Sequence, residues 1–86
     1  MKRTERRLLR LVDMDIQLSS PDGLRTLSFA RRHNIDWRTV MRLIESIRAI
    51  GLEIESTRNK YKNGYVFRYV GRQRLFSMST HRMMSE

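Results

Sequence analysis

Apolar residues recur every three to four positions in three stretches of the chain, which predicts three helices. The first helix is predicted over about residues 4–16, with Thr4 as its N-cap. Its recurring apolar positions are Leu8, Leu9, Val12 and Ile16. The second helix is predicted to run from a capping Thr26 to His33, with Leu27 and Ala30 on its inner face and Phe29 as a further candidate for that face.

A three-residue connector leads into the third helix. Asn34 tolerates the left-handed conformation that ends a helix, and Ile35 is expected to anchor the turn. Asp36 is predicted to cap the third helix by accepting from the amide of Arg38 or Thr39. Its amphipathic inner face consists of Val40, Leu43, Ile44, Ile47 and Ile50, followed by the helix-ending Gly51.

After Gly51 the apolar period changes to two, which predicts strands. Residues 52–55 alternate between apolar and polar side chains, and so do residues 65–69. The basic segment between them closes on Asn63-Gly64, a sequence typical of a β-hairpin turn. Upstream, Leu24-Arg25 is a candidate short strand.

These elements predict an α+β fold, a small winged helix with three helices, a helix-turn-helix and a C-terminal two-stranded β-hairpin wing. The 86 residues of the chain correspond to one domain. We expect that domain at residues 1–70. Residues 71–86 have no firm period, and we expect a basic tail or a short helix there, with self-association as one role.

Positive charge is concentrated in the two flanks of the chain. Lys and Arg number 18 against 9 acidic residues, a formal net charge of +9. Residues 1–10 carry five basic and one acidic side chain, residues 56–82 seven basic and none acidic, and residues 11–55 six basic and seven acidic. The expected partner is a polyanion, nucleic acid before an anionic membrane.

Other classes of function find little support in the residues. The chain has no cysteine, which excludes disulfides and thiolate metal sites. His33 and His81 lack partners at metal-ligand spacing and are expected at the surface. No catalytic triad or phosphate-binding glycine loop is present, and no apolar run approaches the roughly 18 residues of a membrane span. We therefore expect neither an enzyme nor a bound cofactor, small-molecule ligand or membrane.

The third helix is predicted to enter the major groove of double-stranded DNA. Arg38 lies near its N-terminal end, where base edges are met, and can donate two hydrogen bonds to a guanine. Arg42, one turn later, is predicted to contact a base or a phosphate, and Met41 lies on the same solvent side. Trp37 is also a DNA-contact candidate, although packing against the second helix or the wing is an equally good interpretation.

Basic side chains of the two flanks are the predicted phosphate contacts. In the wing they are Arg58, Lys60 and Lys62. In the N-terminal arm they are Arg3 and Arg6, with Lys2 and Arg7 beside them. A solvated surface position is the alternative interpretation for each of them.

The same segments resemble the N-terminal winged helix-turn-helix domain of DeoR-type and WYL-type bacterial regulators, over about residues 6–70. Phe29-Ala30 stand where that family has Leu-Ala, and Asp36 stands at its capping Ser. Thr39-Val40-Met41-Arg42 match its Thr-to-Arg segment, and Gly64-Tyr65-Val66-Phe67 its returning wing strand. The resemblance implies that the Thr39 hydroxyl contacts a phosphate or a base. The resemblance implies a repressor-like transcriptional regulator that binds a palindromic DNA site as a homodimer.

Two positions depart from the family pattern. Leu43 replaces an Asp, which removes any ion pair made by that Asp, and Asn34 replaces the usual turn Gly. The sensor domain of those regulators does not follow within the 86 residues, so ligand control of that kind is not expected. By analogy the protein is expected in the cytoplasm, in a bacterial, phage or plasmid context.

Two further functions stay open. A winged helix can serve as a protein-interaction or inhibitor module instead of a DNA reader. A domain of this charge can also bind DNA or RNA without sequence preference, and such binding disappears at moderate salt.

Overall fold

The computed structural model describes residues 2–58 and 64–76 of the chain. Its helices are α1 (Arg3–Ser19), α2 (Thr26–His33) and α3 (Trp37–Ile50). Its strands are β1 (Leu24–Arg25), β2 (Ile54–Arg58) and β3 (Tyr65–Tyr69). They form one antiparallel sheet in the order β1-β3-β2. The predicted α+β class is confirmed as three helices and a small antiparallel sheet.

α1 is longer than predicted because it carries a second apolar stripe. Met14 and Leu18 are buried, and Leu11 packs against the same core one turn earlier. Burial of Leu18 carries the helix three residues past the predicted end, and the Ser19 hydroxyl donates to the Asp15 carbonyl in its last turn. The predicted cap is wrong, since the N-cap position belongs to Lys2, which makes no side-chain bond there.

The turn between α2 and α3 forms as predicted. Asn34 adopts a left-handed conformation with a φ of 52°, and the Ile35 amide donates to the Ala30 carbonyl at 2.9 Å. Asp36 Oδ1 accepts from the Arg38 amide at 3.3 Å, which caps α3. Gly51 ends α3 at a φ of 114°, where a side chain would be strained. Asn34, Asp36 and Gly51 therefore determine where α2 ends and where α3 begins and ends.

One apolar core joins the helices to the sheet. Its buried side chains are Met14, Leu18, Leu24, Phe29, Ala30, Val40, Leu43, Ile44, Ile47, Ile54, Phe67 and Tyr69. Two residues predicted to face inward do not. Ile50 is 68% exposed because it lies at the very end of α3, and Leu27 is 46% exposed because α2 buries Phe29 and Ala30 instead.

Thr26 joins α2 to β3 instead of capping α2, so its predicted role is wrong. It is the first residue of the helix, and Arg25 occupies the N-cap position. The buried Thr26 hydroxyl donates to the Tyr65 carbonyl at 3.3 Å and accepts from the Tyr65 amide at 3.4 Å. These two bonds fix the first turn of α2 beside the start of β3.

The sheet holds the predicted hairpin and adds β1 to it. Ile54 pairs with Tyr69, so β2 begins two residues later than the predicted alternation, and Arg58 pairs with Tyr65. β1 pairs with the other edge of β3 through Leu24. Gly23, at a φ of 75°, permits this approach, since a Cβ there would lie 2.8 Å from the Phe67 carbonyl oxygen.

The carboxylate of Asp15 is a polar centre within the core and is 1% exposed. Its Oδ1 accepts from the Tyr69 hydroxyl at 2.8 Å and the Leu75 amide at 2.7 Å. Its Oδ2 accepts from Arg74 Nε at 3.0 Å and the Phe76 amide at 3.1 Å. Burial raises the pKa of Asp15, but these hydrogen bonds outweigh burial and hold its pKa below 3.8.

Packing continues past the predicted boundary at residue 70. The Gln73 side chain accepts from the Glu53 amide at 2.9 Å and donates to the Glu53 carbonyl at 3.2 Å. Together with the bonds to Asp15, this places residues 73–76 against α1 and the start of β2. The division at residue 70 stays a prediction, and residues 77–86 lie outside the described part of the chain.

The substitution Asp15→Asn is expected to destabilise the fold by about 3 kcal/mol at pH 7, measured by urea unfolding. An amide offers one acceptor oxygen and one NH2 group. In either orientation the NH2 group faces an N–H that cannot accept, the Leu75 amide on one side or Arg74 Nε and the Phe76 amide on the other. Because the folded pKa of Asp15 is depressed, its stabilising effect is present above its unfolded pKa and is lost as pH falls through the folded pKa. The wild type should therefore lose more stability than the variant below about pH 4.

The matched control is Asp22→Asn, which removes the same charge from an exposed loop residue. It should change stability by less than about 0.5 kcal/mol. Equal stability of Asp15→Asn and the wild type at pH 7 would show that the carboxylate is not required.

Candidate nucleic-acid interface

The exposed side of α3 is divided into three strips by the 100° turn between successive residues. Arg38, Arg42 and Glu45 lie opposite the buried face and are exposed. Thr39 and Ser46 form the strip on the side of α1. Trp37 and Met41 form the strip on the side of α2 and β3. α3 thus presents basic side chains at its centre, with different chemistry on each flank.

A groove between α1 and α3, here called the basic groove, has a volume of about 350 Å³. It is lined by Arg3, Arg7, Arg10, Thr39, Arg42, Leu43 and Ser46. Four of these residues are arginines and none is acidic. Within residues 2–58 and 64–76, none of the four arginines takes part in an ion pair.

The basic groove is electrostatically unfavourable for the protein by itself. Its guanidinium groups repel one another, and Arg3 lies in the first turn of α1, where the helix dipole favours an anion. A bound phosphate relieves both penalties, because guanidinium groups and helix N-termini both bind oxyanions. Chemically, the groove is suited to a phosphate backbone.

The structure places the predicted arm residues differently from one another. Arg3 lines the basic groove, whereas Arg6 is exposed and lies about 100° around α1 from Arg7. Sequence reasoning did not single out Arg10. The spacing of the groove arginines could have identified it, because positions 3, 7 and 10 extend the stripe of buried Met14 and Leu18 toward the N-terminus.

The α2 side of α3 bears a second depression, here called the apolar notch, of about 240 Å³. It is lined by Thr26, Leu27, Trp37, Met41, Gly64 and Tyr65. The Trp37 ring lies beside α2 and β3, as one interpretation expected, yet Trp37 is 52% exposed. The Arg38 guanidinium lies 5.8 Å from the centre of that ring, a cation–π distance.

Arg48 connects α3 to the sheet, and its guanidinium group is occupied by the contacts that it makes there. Its guanidinium donates to Glu45 Oε1 at 3.0 Å and to the Ile54 carbonyl at 2.9 Å. It also lies 5.7 Å from the centre of the Phe67 ring. Arg38 and Arg42 therefore remain as the basic side chains on the exposed centre of α3.

The wing contacts stay predictions. The structure shows Arg58 as the last residue of β2, paired with Tyr65, and does not describe its side chain. Lys60 and Lys62 lie outside the described residues.

His33 is not the surface residue that its lone position in the sequence predicts. It is half-buried, with Nε2 at 2.7 Å from Asp13 Oδ2 and its ring centre 4.4 Å from that of Phe29. Burial raises the pKa of Asp13, but the bonds from His33 and Gln17 and the charge of Arg32 bring it below 3.8. This contact ties α1 to the end of α2, and no cluster of three or more metal-ligand residues occurs in the described ranges.

Comparisons of the chain with protein-family models, with curated proteins and with solved structures each found no match. Over the part of the chain that the structure describes, no helix has the length and apolar character needed to span a membrane.

Loss of one groove arginine is expected to weaken binding to random-sequence duplex DNA. Arg7→Gln should lower affinity for all sequences alike and reduce the slope of log affinity against log salt by about one, because one fewer phosphate is neutralised. Fluorescence anisotropy over a series of salt concentrations measures both quantities.

Arg6→Gln is the matched control, with the same change in charge on the adjacent residue of α1. Its salt slope should change less than that of Arg7→Gln. Equal slopes for the two variants would show that total charge, and not the basic groove, determines binding.

Proposed function

We propose that the chain is a winged helix-turn-helix domain that binds double-stranded DNA with sequence specificity and represses transcription in the cytoplasm. The observation that carries this proposal is the basic groove beside α3, where Arg3, Arg7, Arg10 and Arg42 converge without an acidic partner in the described residues. The other basic side chain on the exposed centre of α3 is Arg38.

Element order supports the proposed fold. A helix, a short strand, two helices joined by a tight turn and a returning hairpin follow one another, and β3 lies between β1 and β2. Leu43, where DeoR-type and WYL-type regulators have an Asp, is buried in the core, so this domain uses an apolar contact at that position.

In the proposed complex α3 enters the major groove, which is about 12 Å wide and accepts one helix. Arg38 then lies at the entering end and donates to the O6 and N7 atoms of a guanine. Thr39 is the next residue after Arg38 and Arg42 is one turn further along, and both contact a base or a phosphate. The groove arginines bind phosphates on the α1 side, and Arg58, Lys60 and Lys62 of the wing bind the backbone or the minor groove.

A homodimer belongs to the same proposal, and an unpartnered face of α1 supports it. Leu8, Leu9 and Ile16 are each about half exposed, and Val12 lies between them. Antiparallel pairing of two copies about Val12 places Leu8 of each copy near Ile16 of the other. This pairing also sets the dipoles of the two α1 helices in opposite directions. It brings the basic N-terminal half of each α1 toward the half of the other α1 that contains Asp13. A two-fold dimer matches a palindromic site.

The alternative functions make different use of the same surfaces. A protein-interaction or inhibitor module would use the exposed apolar side chains and would bind no nucleic acid even at low salt. A non-specific binder would use the basic groove alone, without discrimination by Arg38.

Substitution Arg38→Ala should remove selectivity at one base position. For the wild type, changing the guanine that Arg38 contacts is expected to cost about 1–3 kcal/mol, and for the variant this difference should disappear. Selection of sites from random duplex DNA at a fixed salt concentration, followed by titration of single-base variants, measures it. Arg72→Ala removes an equal charge from an exposed residue beyond β3 and should keep the preference.

The proposal of base reading fails if Arg38→Ala weakens binding to every sequence equally. The wider proposal of DNA binding fails if the wild type binds no duplex at low salt.

The double substitution Leu8→Ser and Ile16→Ser should convert the dimer to a monomer in sedimentation velocity. Loss of two half-exposed apolar contacts per copy weakens the α1–α1 interface and leaves the core intact. Leu27→Ser, which removes a similarly exposed leucine from the apolar notch, is the control and should stay dimeric. A wild-type protein that binds its full palindromic site as a monomer would contradict the dimer.

A further inference from the structure

The apolar notch brings the first turns of α2 and α3 together with the start of β3. Leu27, Trp37 and Tyr65 on its walls are 46%, 52% and 50% exposed. Because their exposed surface contributes nothing to the core, they form a patch that is available to a ligand.

Polar atoms at the base of the notch are already satisfied. The Thr26 hydroxyl both donates to and accepts from the Tyr65 backbone, at 3.3 and 3.4 Å. Among the described residues, no charged side chain lines the notch. The described walls therefore offer no cation to a phosphate and suit an apolar group.

The apolar notch lies beside the N-terminal end of α3, which is the end proposed to read bases. Trp37 and Met41 are one turn apart on α3, and the Arg38 guanidinium lies 5.8 Å from the Trp37 ring centre. A helix that enters the major groove meets base edges with its N-terminal residues. A base pair next to the one contacted by Arg38 therefore comes to lie against the notch.

Only one apolar group is displayed by base edges in the major groove, the C5 methyl of thymine. We propose that the apolar notch binds this methyl group, and that the domain thereby selects a thymine beside the guanine contacted by Arg38. This inference rests on the proposed function. The basic groove on the other flank of α3 favours DNA over a protein as the occupant, since both depressions adjoin the same basic helix face.

Replacement of thymine by deoxyuridine tests the inference, because it removes the methyl group and keeps every hydrogen-bonding atom of the base. In the preferred duplex, thymines are replaced one at a time and affinity is measured by anisotropy. One replacement should weaken the wild type about fourfold, the effect of burying one methyl group. Replacements elsewhere should have little effect.

The protein is varied in parallel. Leu27→Ala and Trp37→Ala shorten walls of the notch at half-exposed positions, and each should bind the thymine and uracil duplexes with equal affinity. Val70→Ala, at a residue of 42% exposure that follows β3 and lies outside the proposed dimer face, is the matched control and should retain the fourfold difference. Circular dichroism melting checks that all variants fold.

Two results overturn the inference. The first is sequence-selective binding in which no single thymine matters; the second is a fourfold effect that persists in Leu27→Ala and Trp37→Ala. In both cases the proposed DNA reader stands and the notch is left as a surface for a protein partner. Absence of any sequence preference in the wild type would instead refute the proposed function itself.

Discussion

The buried carboxylate of Asp15 determines where α1 lies, and the candidate interface depends on that placement. Four hydrogen bonds converge on it from the end of β3 and from residues 74–76. A domain of 86 residues has a stability of roughly 4–13 kcal/mol, and a buried charge without partners costs a large part of it. The bonded arrangement is therefore strongly preferred, and it aligns the arginines of α1 with α3.

Stability and binding make opposite demands on the N-terminal half of α1. Positive charge in its first turns opposes the helix dipole, and the convergence with Arg42 adds repulsion. Meanwhile Met14, Leu18 and the Asp15 bonds stabilise the C-terminal half. Anchoring one half of the helix allows the other to carry an unfavourable charge, a division of roles expected where a surface is kept for a polyanion.

Sequence predicted the features that depend on neighbouring residues. Asn34, Asp36 and Gly51 identified the turn and the ends of α3, and the period of two identified the hairpin. The role of Asp15 left no sign in the sequence, because its partners lie 54–61 positions away. Thr26 was predicted to be a helix cap. Its hydrogen bonds to Tyr65 span 39 positions, so the neighbouring residues gave no sign of them. The candidate site was predicted only in part, for the same reason. The pattern of neighbouring residues identified α3, whereas the basic groove also depends on which face of α1 lies beside α3.

The two flanks of α3 differ in chemistry, and this asymmetry bears on how the helix can lie against DNA. The basic groove suits a phosphate backbone on the α1 side, whereas the described lining of the apolar notch contains no charged side chain. Turning α3 end over end in the groove would set the basic groove against the phosphates of the other strand, because the two backbones of the duplex are related by a pseudo-two-fold axis. The base edges distinguish the two orientations, so Arg38 and the thymine methyl proposed for the notch give the proposed complex a direction along the DNA.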